Sequence, residues 1–192
     1  MSGYGSGFQG RLAQSPDIRG TITQDAASAT TGFGAGFDSS NDSKAPTTQN
    51  INGRIITKLY IDLAGNDSAT EDLFIIGDGT AASASIYKHS NSVNGYVMEI
   101  QMMCVEEPTT GQDNINLIGS TTDSAAGGAV GGDSFNLILA GEAWEIGASK
   151  QMSFGGGDLD ALYLFLTCGD SGTAGAYGAG KFVITIIGNE AF

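Results

Sequence analysis

The stretch "KFVITIIG" (181–188) decides the fold, because the most strand-like residues of the chain lie within its last dozen positions. Chain ends fray unless they are tied into a sheet. The β-branched and aromatic residues of this stretch therefore predict an integral strand. The segment "RIITKLYIDL" (54–63) has the same character. We expect these two segments to pair, one opening and the other closing a β-rich body.

Short strand candidates separated by turn signals fill the sequence between these two segments. They are 71–77, 83–89, 95–107, 115–119, 134–140, 144–154 with a bend at Gly147, and 160–168. Gly, Asn, Asp and Ser cluster between them, as turns require. No segment keeps a 3.6-residue period over a dozen positions, so helices are not expected. The pattern predicts an all-β fold, a jelly-roll-like antiparallel β-sandwich spanning residues 54–192.

Residues 1–53 differ from this body. They are rich in Gly, Ser, Thr, Ala and Asn and show no helical or alternating period, which predicts an extended N-terminal arm. Aromatic residues stand between glycines at Tyr4, Phe8, Phe33 and Phe37. Because glycine lets the backbone approach a surface while the ring fills a pocket, these four are candidate anchors for a partner. A plain linker is the alternative.

The charge of the chain limits its partners. The 192 residues carry a net charge of −13, from 21 acidic and 8 basic residues. Nucleic-acid binding needs clustered Lys and Arg, so no nucleic acid is expected as a partner. The longest apolar runs are far shorter than the roughly 20 residues that cross a bilayer as a helix, so no membrane is expected either. The start "MSGYGSGFQG" lacks the features of a signal peptide, which predicts synthesis in a cytosol.

The sequence offers little for catalysis. Cys104 and Cys168 lie in apolar strand-like runs, so buried, inert thiols are expected, with a disulfide between neighbouring strands as the alternative. His89 is the only histidine and follows a strand-like run next to a turn. No nucleophile motif accompanies it, so we expect a turn or surface histidine and no enzyme.

Three acid-rich turns, 62–72, 77–80 and 155–160, offer oxygens of the kind that bind calcium. None has EF-hand spacing, and one histidine with two separated cysteines does not make a zinc site. Ordinary β-turns explain all three segments. The sequence therefore predicts neither a metal nor another cofactor.

Trp144 is the only tryptophan and stands between Glu142 and Glu145 in "GEAWEIG" (141–147). An exposed tryptophan next to acidic residues is a common platform for sugars. Trp144 is therefore a candidate glycan contact. The alternative is a tryptophan packed at the rim of the sandwich.

Several stretches together resemble a known group of proteins. They are the Gly-rich aromatic arm, "IITKLYIDLAG" (55–65), "EDLFIIG" (71–77) and the closing "DALYLFLTCGDSGTAGAYGAGKFVITIIG" (160–188). This pattern resembles the small virion structural proteins of marine tailed bacteriophages. The closing strand, Gly-rich turn and final strand are similar to the ending of proteins that decorate or cement icosahedral heads. The resemblance covers residues 54–192 as a pattern, without an invariant motif.

The resemblance implies a structural virion protein on the outer surface of a phage capsid, reached after synthesis in the host cytoplasm. Its partners would be the major capsid protein, copies of itself, or both, and the N-terminal arm would cross onto neighbouring subunits. A homo-oligomer is compatible with this role. The alternative function is a knob or a tail- or fibre-associated β-sandwich module that binds a carbohydrate or a receptor through Trp144.

Overall fold

The fold is an all-β sandwich of antiparallel sheets, as predicted. The computed structural model describes residues 33–79, 83–172 and 174–190. Its elements are β1 (Lys44–Ile51), β2 (Arg54–Asp62), β3 (Asp67–Ser68), β4 (Tyr87–Lys88), α1 (Asn91–Asn94), β5 (Tyr96–Thr109), β6 (Ile115–Ser120), β7 (Ser134–Ile138), β8 (Ser149–Gly157), β9 (Tyr163–Cys168), β10 (Gly175–Ala176) and β11 (Ala179–Asn189).

Strand β11 is the centre of the larger sheet. This five-stranded sheet has the order β1-β2-β11-β5-β8, and a four-stranded sheet has the order β4-β9-β6-β7. Strands β10 and β3 form a separate pair. The predicted pairing of 54–63 with 181–188 is confirmed, since Phe182 lies opposite Ile61 and Ile187 lies opposite Ile56. A strand inside a sheet has both of its backbone edges paired, which explains why this segment does not fray.

The core lies between the two larger sheets. Along β11 the side chains of Phe182, Ile184 and Ile186 are buried, whereas the residues between them are half-buried on the other face. Leu117 and Leu164 of the four-stranded sheet belong to the same buried cluster. Burying one large aliphatic or aromatic side chain stabilises the fold by about 1.5–3 kcal/mol. The period-two alternation of β11 therefore fixes which face of the sheet points inward.

The predicted boundary between arm and body after residue 53 is wrong. Strand β1 lies within the supposed arm and pairs with β2, with Ile51 opposite Arg54. The intervening residues Asn52 and Gly53 both have positive φ, at 54° and 82°, as a two-residue type I′ hairpin requires. The boundary was therefore placed in the middle of a hairpin, and 44–51 form an edge strand of the larger sheet.

Some predicted strands are shorter than expected. The segment 71–77 contributes only isolated bridges, such as Ile75 with Thr167. Leu73 has a φ of 63°, which interrupts the extended backbone. Strand β8 begins at Ser149, and Gly147 before it has a φ of 81°. The bend predicted at Gly147 is thus confirmed.

The outer faces of the two larger sheets differ. On the four-stranded sheet, the outward Phe165 is buried against Ile75 and Ala84, with Ala126 and Val130 packed around them. The hydroxyl of Ser120 donates to the carbonyl of Gly131, which holds the loop after β6 against the sheet. On the five-stranded sheet, by contrast, most outward side chains are exposed or half-buried. This surface, which no described segment of the chain covers, is the candidate functional site.

Candidate functional site

We name the outer surface of the five-stranded sheet the open face. Alternation along the five strands, together with the register, defines its members. They are Lys44, Thr47, Gln49 and Ile51 on β1; Arg54, Ile56, Lys58, Tyr60 and Asp62 on β2; Lys181, Val183, Thr185 and Ile187 on β11; Glu99, Gln101, Met103, Val105 and Glu106 on β5; and Ser149, Gln151 and Ser153 on β8.

An apolar row crosses the open face. The register places Tyr60 next to Val183, and Val183 next to Met103. Tyr60 is 40% exposed and Met103 38% exposed, and the nearby Val105 is 47% exposed. Contiguous exposed apolar side chains on a folded protein mark contact surfaces more often than isolated ones do. The row therefore makes the open face a candidate docking surface.

A lysine surrounded by carboxylates lies at one end of the open face. The Lys181 Nζ lies 3.2 Å from Glu106 Oε2, 3.5 Å from Asp42 Oδ2 and 3.9 Å from Asp62 Oδ2. The hydrogen bond to Glu106 and the charges of Glu106 and Asp62 raise the pKa of Lys181. A pocket of about 350 Å³ lies beside this cluster, with Tyr60 among its lining residues. The positive charge of Lys181 thus offsets the mutual repulsion of the three carboxylates.

The open face also differs from the remaining surface in charge. Arg11 and Arg19 lie outside the described residues, and four of the six basic residues within them belong to the open face, namely Lys44, Arg54, Lys58 and Lys181. Its carboxylates, with that of Asp42 at the Lys181 cluster, are also four, the others being Asp62, Glu99 and Glu106. The rest of the described chain carries two lysines against fifteen acidic residues. The open face is therefore balanced in charge on a strongly acidic protein.

The open-face charges that Lys181 does not pair lie on three strands, with Lys44 on β1, Arg54 and Lys58 on β2, and Glu99 on β5. Within the described residues, the ion pairs involve Lys150 and Lys181. Arg54 and Lys58 on β2, and Glu99 on β5, form none there. The open-face charges without an ion pair among the described residues are therefore basic on the β2 side of β11 and acidic on the β5 side.

The four predicted arm anchors fall into two groups. Tyr4 and Phe8 lie outside the described residues. Phe33 and Phe37 stack on each other, with ring centroids 5.4 Å apart, and both pack against the main core. Phe37 is 2% exposed. The prediction that Phe37 is an anchor for a partner is therefore wrong, because its ring is buried in its own domain, whereas Phe33 is partly buried against the same core.

Glycine explains how "GFGAGF" reaches that core. The amide of Gly34 donates to the carbonyl of Ser85, and the amide of Gly36 donates to that of Ser83. A Cβ at Gly34 would collide with Ser83. The close approach expected from glycine does occur, but within one chain.

Trp144 is not an exposed sugar platform. Its side chain is 2% exposed, its Nε1–H donates to the Ile115 carbonyl at 2.8 Å, and its ring packs edge-on against Phe182. The Lys150 Nζ lies 5.6 Å from the ring centroid. The glycan contact predicted at Trp144 is contradicted, because no indole face is left for a sugar.

His89 is a buried histidine, so the expectation of a surface position is wrong. It is 1% exposed, and its Nδ1 lies 3.0 Å from the carbonyl oxygen of Leu159. Among the described residues, no group pairs with its buried Nε2. Burial lowers the pKa of His89, while the Leu159 carbonyl and the charges of Asp160 and Asp158 act in the opposite direction. The ring links the end of β4 to the loop before β9.

Both cysteines are free and buried, as predicted, so they do not form a disulfide with each other. Burial raises the pKa of Cys104 to about 11 and also raises that of Cys168. Among the described residues, no three or more His, Cys, Asp or Glu side chains are grouped to hold a metal. No helix in the described ranges has the length and apolar character needed to cross a membrane.

Sequence reasoning did not identify the open face, although one signal was present. Ile56, Val183 and Ile187 are outward apolar residues between inward apolar ones, so β2 and β11 are partly apolar on the outer face as well. Such strands are expected where both faces of a sheet are covered. In comparisons with known proteins, no family model, curated sequence or solved structure matches the chain.

Proposed function

We propose that this chain is a non-enzymatic structural protein that decorates or cements the outer surface of a phage capsid. The open face is its protein-contact surface in that assembly. The observation that carries this proposal is the apolar row of Tyr60, Val183 and Met103. It lies on a charge-balanced face, whereas the rest of the described chain is strongly acidic. The sequence resemblance to head-decorating proteins supplies the type of assembly.

The mechanism is mechanical. A β-sandwich with a packed core is a stiff unit. An apolar surface on it contributes roughly 25 cal/mol for each Å² removed from water. Each contact on a capsid is modest, but a lattice repeats it many times. Repetition converts weak contacts into strong retention through effective concentration.

The N-terminal arm has a shorter extent in this proposal than the sequence predicts. Residues 33–53 belong to the folded body, so the arm comprises residues 1–32, with Tyr4 and Phe8 as its proposed anchors. At about 3.3 Å per residue, such a segment reaches up to about 105 Å when extended. That length is sufficient to cross onto a neighbouring subunit.

The alternative function, a carbohydrate- or receptor-binding module, loses the residue that was to form its binding site. It depended on an exposed Trp144, and the indole is buried. No other described feature favours it over protein contact.

Co-sedimentation with empty heads of the phage that encodes the chain tests the proposal. We expect the wild-type protein to bind stoichiometrically and a Tyr60→Glu variant to bind at least about tenfold more weakly, because a charge would enter the apolar row. Phe135→Glu is the matched control, since Phe135 is 46% exposed but lies on the other sheet. Failure of the wild type to bind, or unchanged binding by Tyr60→Glu, would contradict the proposal.

A further inference from the structure

We propose that the open face pairs with the open face of a second copy of this chain, about a two-fold axis that runs along β11. This inference rests on the proposed role of the open face as a protein-contact surface and names its partner. Isologous pairing uses the same patch on both copies, so the patch must complement itself under the rotation. The open face meets this condition in its apolar row, in size and in the charges of Arg54, Lys58 and Glu99.

Charge favours a second copy and selects the axis. Two acidic bodies repel each other wherever other surfaces meet, whereas the open face is balanced in charge. Rotation about β11 exchanges the two sides of the sheet, so the β2 side of one copy, with Arg54 and Lys58, covers the β5 side of the other, with Glu99. The same rotation places the Lys181 cluster of one copy on that of the other, with Asp62 opposite Glu106, so the complementary charges are those of Arg54, Lys58 and Glu99. Rotation about an in-plane axis across the strands would place β2, with both Arg54 and Lys58, on itself. Opposite charges in register also suppress wrong pairings.

The same rotation matches the apolar rows. It leaves each residue at its own height along β11, so Val183 meets Val183 of the second copy and Tyr60 meets Met103. Glu99 shares its row with Ile187 and Ile56. It therefore faces Ile56 of the second copy, between Arg54 and Lys58 on the same strand. Sheets that pack face to face with aligned strands are a common arrangement.

The open face has the area that a specific dimer needs. Five strands about 4.8 Å apart and about nine residues long at roughly 3.3 Å each cover about 700 Å². A specific interface of standard size buries about 800 Å² on each partner. The sheet thus provides nearly a full interface without help from the loops.

Sedimentation equilibrium of the full chain tests the pairing through a charge exchange. We expect the wild type to be a dimer. In Lys58→Glu alone and in Glu99→Lys alone, like charges should face each other across the interface, and each substitution should raise the dissociation constant of the dimer at least about tenfold. An equimolar mixture of the two variants should dimerise again, because both contacts between them join opposite charges. A monomeric wild type, or a mixture that stays monomeric while the wild type dimerises, would overturn the proposal.

Crosslinking through the axis provides a second test. In Val183→Cys the new thiols of two copies face each other, so a short bismaleimide should join them into a covalent dimer. Ser134→Cys is the control, because Ser134 is exposed on β7 of the other sheet and should not crosslink. The native thiols are buried. Equal crosslinking of the two variants, or crosslinking of Ser134→Cys alone, would overturn the proposal.

These tests need no capsid, so failure of the pairing proposal can be distinguished from failure of the proposed capsid role. Dimers that do not bind heads would contradict the virion role and leave the pairing intact. Monomers that bind heads through the open face would show that a capsid protein occupies it and would overturn the pairing. A wild-type monomer that dimerises once residues 1–32 are removed would show that this segment covers the face, and would overturn it as well.

Discussion

The indole of Trp144 packs edge-on against the ring of Phe182, with 5.4 Å between the ring centroids and 78° between the planes. This contact joins the loop before β8 to the central strand β11. Trp144 is also held by its hydrogen bond to the Ile115 carbonyl of β6. One side chain therefore ties both sheets together, which is a structural role and not a ligand-binding one.

Replacing Trp144 should consequently destabilise the fold. We expect Trp144→Ala to lower the free energy of unfolding by about 3–5 kcal/mol, the range for a large aromatic residue removed from a core. Urea denaturation followed by circular dichroism measures it. Ile146→Ala, at a position that is 66% exposed, should change the free energy by no more than about 0.5 kcal/mol. A loss below about 1 kcal/mol for Trp144→Ala would contradict its place in the core.

His89 should make the stability depend on pH. Its folded pKa lies below the ordinary value of 6.5 because burial disfavours the charged ring. The unfolded chain therefore binds the proton first. Stability is full above pH 6.5 and falls as the pH decreases from there towards the folded pKa, by up to about 1.4 kcal/mol per pH unit.

The matched variant for this effect is His89→Asn, which keeps a side-chain donor but does not titrate. Urea unfolding at pH 7.5, 6.5 and 5.5 should give a steeper decline for the wild type than for the variant. Asp158 and Asp160 are present in both proteins, so the comparison reports His89 together with its charge interaction with these two carboxylates. Parallel pH profiles would contradict the buried, neutral histidine.

The hairpin of β1 and β2 predicts how the chain tolerates truncation. A chain starting at Phe33 keeps the pairing of β1 with β2 and the packing of Phe37 in the core, and should fold with a cooperative melting transition. A chain starting at Arg54 loses β1 and the buried Phe37, and should melt far lower or fail to fold. Differential scanning calorimetry distinguishes them. Equal melting of the two truncated chains would show that residues 33–53 are dispensable to the body.

The two cysteines should be unreactive in the folded protein. A thiol whose pKa is raised to about 11, as at Cys104, carries almost no thiolate at neutral pH. We expect a chromogenic disulfide reagent to modify neither thiol within the time needed to modify both in urea. Rapid labelling of Cys104 or Cys168 in the native state would contradict their burial.

The sequence predicted the central pairing because β2 and β11 are long and rich in β-branched residues. It missed β1, whose composition is polar and includes Pro46. Edge strands tolerate proline and few apolar residues because one of their backbone edges is unpaired. The turn at Asn52 and Gly53 was the available signal for this hairpin.

The open face was not predictable for another reason. Which sheet face remains uncovered depends on where the segments around Ile75 and Val130 fold, and those loops have no periodicity. The Lys181 cluster joins residues that are far apart in sequence, since Asp42, Asp62 and Glu106 meet only through strand register. His89 and Trp144 were misplaced because local sequence gives the type of a residue but not what packs over it.

The most direct test of the central claim is co-sedimentation of the full chain with empty heads, comparing the wild type with Tyr60→Glu and the control Phe135→Glu. If the open face is the contact surface of a head-decorating protein, the wild type and Phe135→Glu saturate the heads and Tyr60→Glu is lost from the pellet. Equal pelleting of all three proteins, or of none, would contradict the account.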